Sequence, residues 1–220
     1  MSEKKYKKEN FKRVTWIEYS TTLETLYKKV ADYIHQNKIK IDVVVPIMRG
    51  GAFPGTYLAY RLHLLAMLPI QYKYSFADGK AILKKLTDYP SHNFNVPTQP
   101  TFLLVEGNHC FGNTAQVAIN DLLEKYPGCK IIYAVDHEDA SCQTLKGIKA
   151  NFWGKLTDET RAISETDAKK LGVEKGISYL LPWEDLDEEW TTVQGKQFIY
   201  HSAKENGEVK MELKLGEDYL

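Results

Sequence analysis

The stretch from Thr101 to Val117, TFLLVEGNHCFGNTAQV, constrains this chain more than any other. Phe102, Leu103, Leu104 and Val105 form a short continuous apolar run, the pattern of a strand covered on both faces. A loop follows, with Glu106 at its start, Gly112 in its middle and Thr114 at its end, and then a helical pattern with Val117, Ala118, Leu122 and Leu123 turned inward. A strand that feeds a glycine-bearing loop into a helix N-terminus is a ready anion site. Free backbone amides and the positive end of the helix dipole converge there. Thr114 is expected to cap the helix through its hydroxyl and can donate to a bound phosphate. Any α/β protein has such junctions, so the stretch gains meaning only from its companions.

The companions repeat the pattern. Thr21 and Glu24 read as a capping box for a first helix carrying Leu23, Leu26, Tyr27, Val30, Tyr33 and Ile34 and ending near Asn37. Ile41 to Ile47 is a buried strand, interrupted by MRGGAFPG. Gly50 and Gly51 allow backbone shapes that side chains forbid, and Pro54 sits where a helix with Tyr57, Leu58, Leu62 and Leu65 on its apolar face begins. Pro69 to Phe76 alternates as a strand, and Lys130 to Val135 is another buried one. Residues 77 to 100 have no sustained pattern and read as a long loop, a functional lid or a disordered segment. Residues 138 to 175 are polar, hold Phe152 and Trp153, and contain a short helix capped by Ser164 with Asp167. Ile177 to Leu181 is a strand running into Pro182, Trp183 and Glu184. Phe198 to Ser202 and Val209 to Leu215 flank Asn206-Gly207, a strong hairpin signal. Strands separated by helices predict an α/β fold with a mostly parallel twisted sheet, flanking helices and a C-terminal β-hairpin.

Bulk composition narrows the function. With 220 residues and 43% hydrophobic content the chain can bury one domain with an elaboration. Lys plus Arg and Asp plus Glu balance at 29 each, so nothing draws the whole molecule to nucleic acid or membrane, and an anionic ligand needs a local site. No apolar run has membrane-spanning length. Cys110, Cys129 and Cys142 make neither a disulfide framework nor a metal-type pairing in sequence, and a reducing cytoplasm is the expected location. The organisation expected is a basic tail over 1–13, a domain over 14–190 with a mobile hood at 77–100 and an insertion at 138–175, and an extension over 191–220.

Four segments, in order and spacing, resemble the type I phosphoribosyltransferases, above all the bacterial xanthine-guanine and hypoxanthine enzymes. They are VTWIEYSTTLETLYKKVADYI, DVVVPIMRGGAFPGTYLAYRL, FLLVEGNHCFGNTA and LLPWED, spanning most of residues 14 to 186. The resemblance implies transfer of ribose 5-phosphate from phosphoribosyl pyrophosphate, with Mg2+, to a nitrogenous base. It implies that Arg49, Gly50 and Gly51 hold pyrophosphate, and that Glu106 contacts ribose hydroxyls and the metal. It also implies that Cys110, Phe111, Gly112, Asn113 and Thr114 cradle the 5′-phosphate, with Glu106 and Cys110 at the catalytic positions. Lys73, His137 and Tyr179 join the substrate-binding set, His137 where the family's lysine reads a purine carbonyl and Tyr179 beside the position of a base-stacking aromatic, here Ser178.

The chain departs from the family signature. Gly107 stands where a second acid belongs, Asn108 and His109 replace an apolar pair, and Phe111 replaces a threonine. Cys110 occupies a position that is aspartate in the 6-oxopurine enzymes, which argues against a 6-oxopurine acceptor more than against catalysis. Three readings stay open: a phosphoribosyltransferase with an atypical acceptor; a catalytically degenerate protein that kept the fold to bind a nucleotide, a phosphate or a partner; and an enzyme using Cys110 as nucleophile with His109 or His137 as base. The expected partner is phosphoribosyl pyrophosphate or another small phosphorylated ligand, not membrane or nucleic acid. Whether copies of the chain assemble is open.

Overall fold

A computed structural model describes residues 8–77, 80–87, 96–160, 162–190 and 212–215; for 74–77, 80–82 and 212–215 it gives the course of the backbone alone. The elements in chain order are β1 (Phe11–Arg13), α1 (Trp16–Gln36), β2 (Val43–Met48), α2 (Ala52–Arg61), β3 (Ile70–Ala77), β4 (Lys80–Thr87), β5 (Thr101–His109), α3 (Asn113–Lys125), β6 (Lys130–Asp139), β7 (Ala150–Thr157), α4 (Glu165–Leu171), β8 (Ser178–Leu180) and β9 (Glu212–Leu215).

One seven-stranded sheet runs in the order β7-β6-β5-β2-β3-β4-β9. Its pairs are parallel except β3 with β4. β2 and β5 are wholly apolar at Val43–Val45 and Phe102–Val105 because both faces of the sheet are covered. On one face Val44, Leu103, Val105, Ile132 and Ala134 pack with Leu26, Val30 and Leu58 of α1 and α2. On the other, Val45, Phe102, Leu104, Tyr133 and Val135 pack with Ala115, Ala118, Ile119 and Leu122 of α3. A separate two-stranded parallel sheet joins β1 to β8, and Val14, Tyr19, Leu23, Tyr179 and Leu181 bury one another beneath it.

The predicted α/β class and mostly parallel sheet are therefore present, with local corrections. Helix α1 begins earlier than Thr21. Thr15 is its N-cap, its hydroxyl accepting from the Glu18 amide at 3.2 Å while the Glu18 carboxylate accepts from the Thr15 amide at 2.8 Å. Both Thr-x-x-Glu strings satisfy the motif. The outer one caps because burial of Tyr19 extends the helix toward β8. Thr21 lies inside the helix and donates to the Ile17 carbonyl at 3.1 Å, and Glu24 is taken by Tyr57 and Arg61. Helix α2 ends at Arg61, so Leu65 falls beyond it and is fully exposed.

The region 77–100 is not one long loop. Lys80–Thr87 pairs antiparallel with β3, with Leu83 buried, while 78–79 and 88–95, and with them part of the expected hood, lie outside the described residues. The stretch 138–175 contributes the sheet's edge strand β7, and Ser164 caps α4 by accepting from the Asp167 amide, as its sequence indicates. Residues 1–7 of the basic tail and 191–211, including Asn206-Gly207, lie outside the described residues; β9 pairs parallel with β4.

Removing the working cap separates the two capping strings. Thr15→Ala is expected to lower stability by about 1 kcal/mol. Thr21→Ala, which loses only a bond to its own helix, should stay within about 0.5 kcal/mol of wild type. Urea denaturation followed by circular dichroism measures both.

Candidate functional site

Chain order locates the site. From β2 the chain crosses over α2 to β3 on one side, and then returns to place β5 on the other side of β2. Between β2 and β5 the winding reverses, and ligands of open α/β sheets bind outside the carboxyl ends of the strands at such a switch point. The turn after β2 carries Arg49, Gly50 and Gly51, and the end of β5 carries Glu106 to His109.

These two segments touch. A Cβ on Gly107 would lie 2.8 Å from the Gly50 carbonyl oxygen and 3.0 Å from its Cα. A Cβ on Gly51 would lie 2.3 Å from the Val105 carbonyl oxygen. Glycine at 51 and 107 is thus what lets the turn close against β5. The Arg49 guanidinium meets the Glu188 carboxylate in an ion pair whose side chains are 66% and 45% exposed. Such an exposed pair contributes little to stability, so an anionic ligand can take the guanidinium from it.

Glu106 lies within the strand rather than in a loop, because β5 continues to His109. Its carboxylate accepts from the Tyr133 hydroxyl at 2.6 Å, which orients it at the strand end. Burial and the neighbouring Glu106 carboxylate push the Tyr133 phenol well above its ordinary value, so it donates at any ordinary pH. Asn108 donates to Glu159 at 2.9 Å, and Glu159 is itself buried.

The expected phosphate loop is shorter and capped differently from its sequence reading. Cys110 to Gly112 form the turn, and Asn113 opens α3. Gly112, with φ +78°, is the N-cap, and no side chain caps the helix. Thr114 is therefore not the cap; it sits partly exposed within the first turn. The left-handed conformation at 112 suits glycine, and a Cβ there would meet His109 Nε2 at 2.3 Å. Phe111 and Asn113 are partly exposed, Gln143 donates to Asn113 Oδ1 at 3.2 Å, and Cys110 is buried at 6% exposure. A thiol so buried is inert unless something activates it. The cysteine that stands beside His109 is Cys142.

His137 pairs in register with Asn108, which puts it at the same sheet edge, but its side chain is buried. Its Nδ1 lies 2.9 Å from Asp136 Oδ1, and Asp136 in turn accepts from the Tyr19 hydroxyl at 2.6 Å. Tyr179 is also buried, its ring 5.6 Å from that of His137 and covered by Lys155 Nζ at 3.8 Å from its centroid. Lys73 is exposed on β3, two residues past Gln71, which pairs with Met48. The structure brings Arg49 to Gly51 and Glu106 to Thr114 to one edge, and gives His137 and Tyr179 to a buried cluster beside it.

Sequence reasoning missed Tyr133, Glu138, Cys142, Asn151, Glu159 and Glu188. His109 Nδ1 lies 3.3 Å from Glu138 Oε2, which also accepts from Asn151 at 2.7 Å. Burial alone would lower the His109 pKa, but hydrogen bonds to Cys142 and Glu138 outweigh it and raise it to about 10. A strand-end acid such as Glu138 is visible in sequence only if β6 is carried past Val135, and its polar residues hide that extension. For Mg2+, Glu106 is the expected carboxylate. One carboxylate fits a Mg2+ bound mostly by a ligand's phosphates and water, while Gly107 has no room for a second.

No family model and no curated protein matches the sequence. Solved structures do. The purine phosphoribosyltransferase of Pyrococcus horikoshii Ot3 matches with a TM-score of 0.57 at 15% identity, over 80% of this chain and 95% of that one. The xanthine-guanine-hypoxanthine phosphoribosyltransferase of Helicobacter pylori matches with 0.57 at 16%, over 83% and 99%. A hypothetical protein of Neisseria gonorrhoeae, solved with bound ppGpp, matches with 0.54 at 17%, over 84% and 97%. The chain has the type I phosphoribosyltransferase fold. At these identities the likeness is one of fold.

The contact between Gly107 and Gly50 is directly testable. Gly107→Ala is expected to cost about 1–3 kcal/mol, as overpacking against backbone does. A thermal melt unchanged from wild type would show that the two segments are further apart.

Proposed function

We propose that this chain is a phosphoribosyltransferase-like protein that binds phosphoribosyl pyrophosphate at the β2/β5 switch point and transfers its ribose 5-phosphate to a nitrogenous base. The observation that supports this most is the backbone contact of Gly50 with Gly107, which sets the Arg-Gly-Gly turn against the strand end bearing Glu106. Arg49 and the amides of the turn bind pyrophosphate, exchanging the exposed contact with Glu188 for the ligand. Glu106, held by Tyr133, accepts from the ribose hydroxyls. The amides at the start of α3 receive the 5′-phosphate, with Phe111, Gly112, Asn113 and Thr114 around it. Glu106 would hold Mg2+, which when bound would supply charge neutralisation for pyrophosphate as a leaving group. Cys110 lacks the carboxylate that a 6-oxopurine acceptor calls for, and the acceptor is an atypical base. Free thiols at Cys110, Cys129 and Cys142 and a small charged substrate fit a cytoplasmic protein. Among the described residues, no helix is long and apolar enough to cross a membrane.

A second reading has its own observation. The close packing at Gly107 leaves Glu106 as the one acid of the pair. Losing a charge-assisted hydrogen bond of about 1.5–3 kcal/mol weakens ribose binding about ten- to a hundred-fold. A chain so altered can serve as a nucleotide binder that no longer transfers, and the Neisseria protein of this fold was solved with ppGpp.

Calorimetric titration with phosphoribosyl pyrophosphate, with and without Mg2+, combined with a pyrophosphate-release assay over a panel of bases, separates the readings. The transferase reading expects binding that weakens when Mg2+ is chelated, and pyrophosphate release with at least one base. Binding with no release for any base supports the nucleotide binder. Absence of binding at millimolar concentration leaves the fold alone.

Two variants test the residue roles. Arg49→Ala and Glu106→Gln should each weaken phosphoribosyl pyrophosphate binding by about tenfold or more, the loss expected from one charge-assisted contact. Wild-type affinity in Arg49→Ala would remove the turn from the site.

A further inference from the structure

A second constellation lies behind the phosphate loop, on residues the transfer chemistry does not use. His109 ends β5, Glu138 is its register partner on β6, and Cys142 follows in the turn after β6. The Cys142 amide donates to the Asp139 carbonyl at 3.0 Å, a turn that folds the chain back after the strand. One nitrogen of His109, a carboxylate oxygen of Glu138 and the Cys142 sulfur all lie within 4.8 Å of one another. Among the described residues this is the one such group of three.

The arrangement is that of metal ligands rather than of a nucleophile, base and acid. In a Cys-His-acid relay the thiol and the carboxylate sit at opposite ends of the imidazole, roughly 7 Å apart once both hydrogen bonds are counted. Here sulfur and carboxylate oxygen are within 4.8 Å, so they converge on one point. His109 and Glu138 are 1% and 6% exposed, and the contact between imidazole and carboxylate offsets the cost of burying them. Both are held in place. Asn151 donates to Glu138 Oε2 at 2.7 Å, the same oxygen that lies 3.3 Å from His109 Nδ1. A hydrogen-bonded partner behind a ligand is the usual way proteins aim a metal-binding side chain. Two buried atoms of the cluster, His109 Nε2 and Asn151 Oδ1, make no hydrogen bond. Cys142 is partly exposed, and a cavity of about 330 Å³ lined by Glu138, Cys142, Gln143, Asn151 and Trp153 gives access from solvent.

We propose that His109, Glu138 and Cys142 form a binding site for a zinc-class divalent cation, with Asn151 orienting the carboxylate. Imidazole, thiolate and carboxylate together select a borderline-soft ion such as Zn2+ or Co2+ over Mg2+, which prefers oxygen alone. Three protein ligands leave a fourth position facing the cavity, open to water or to a small ligand. The site also touches the loop in front of it. A Cβ on Gly112 would lie only 2.3 Å from His109 Nε2, so fixing the ring on a metal also fixes the floor of the Cys110–Gly112 turn. This site does not depend on the transferase reading, and its test uses no phosphorylated ligand.

The full chain, stripped with chelator and dialysed under reducing conditions, is titrated with Zn2+ by calorimetry and with Co2+ by absorption spectroscopy. One equivalent of Zn2+ per chain is expected, together with a near-ultraviolet sulfur-to-cobalt charge-transfer band. A large excess of Mg2+ should not displace either ion. Cys142→Ser should abolish the band, and Asn151→Ala should weaken Zn2+ affinity about 10- to 100-fold. Because Cys142 is partly exposed, its serine variant is expected to keep the wild-type far-ultraviolet circular dichroism; Gln143→Ala, in the same turn, should keep both band and affinity. Three results would overturn the proposal: no stoichiometric Zn2+ binding by the wild type, a charge-transfer band that survives in Cys142→Ser, or equal competition by Mg2+.

Discussion

The approach of the β2–α2 turn to the end of β5 is the constraint on which the rest of this structure depends. Gly51 lies so near the Val105 carbonyl that no side chain fits, and a Cβ on Gly107 would lie 2.8 Å from the Gly50 carbonyl oxygen. Next along, a Cβ on Gly55 would meet the Pro46 ring at 2.9 Å, so α2 also lies directly on β2. Parallel pairing of β2 with β5 aligns their carboxyl ends, and reversal of the winding leaves a crevice there. Dense packing at this point sets what chemistry the crevice can carry. Position 107, an acid in the family this fold resembles, is held to glycine by the backbone opposite. One carboxylate of the pair, Glu106, is left at this edge, held by the Tyr133 hydroxyl.

Behind that edge the sheet is unusually polar. Asp136, His137, Glu138 and Asp139 close β6 in full burial, and Glu159 and Asp158 lie buried nearby. Buried polar groups persist when hydrogen bonds offset their desolvation. Tyr19 and His137 bond Asp136, Asn108 bonds Glu159, and the Ser141 and Thr160 amides bond Asp139. Burial lifts the Asp136 carboxyl above its ordinary value, and the bonds from His137 and Tyr19 pull only part of that back. Burial likewise raises Asp158, whose oxygen is met by the Ala162 amide at 2.9 Å. Such networks cost more than an apolar core of equal volume unless every member is satisfied. They gather at the carboxyl end of the strands, the edge outside which ligands of open α/β sheets bind.

The elements whose residues carry their own pattern were legible before the fold was known. The apolar runs of β2 and β5, the helical spacing of α1 and α3, and Ser164 before α4 all reflect interactions within a few residues. The Arg-Gly-Gly turn and Glu106 were legible for the same reason, since a glycine pair and a strand-end acid stand as short strings. The polar ends of β5 and β6 were not. Polar residues at 106, 108 and 109 and at 136–139 break the apolar pattern that announces a strand, so both strands read too short. β7 was hidden in the same way, its residues only partly buried at the sheet edge.

By itself, then, the sequence determined the α/β class, the placing of most strands and helices, and the two loops that meet at the switch point, because periodicity and turn chemistry are local. Tertiary structure alone decided which of two equivalent capping strings starts α1, and that Gly112 rather than Thr114 opens α3. It also decided that Gly107 has no room for a carboxylate, and that His109, Glu138 and Cys142 converge. Each of those outcomes depends on the register between strands or on the volume left by a neighbouring backbone. Neither quantity is written in any stretch of residues read alone.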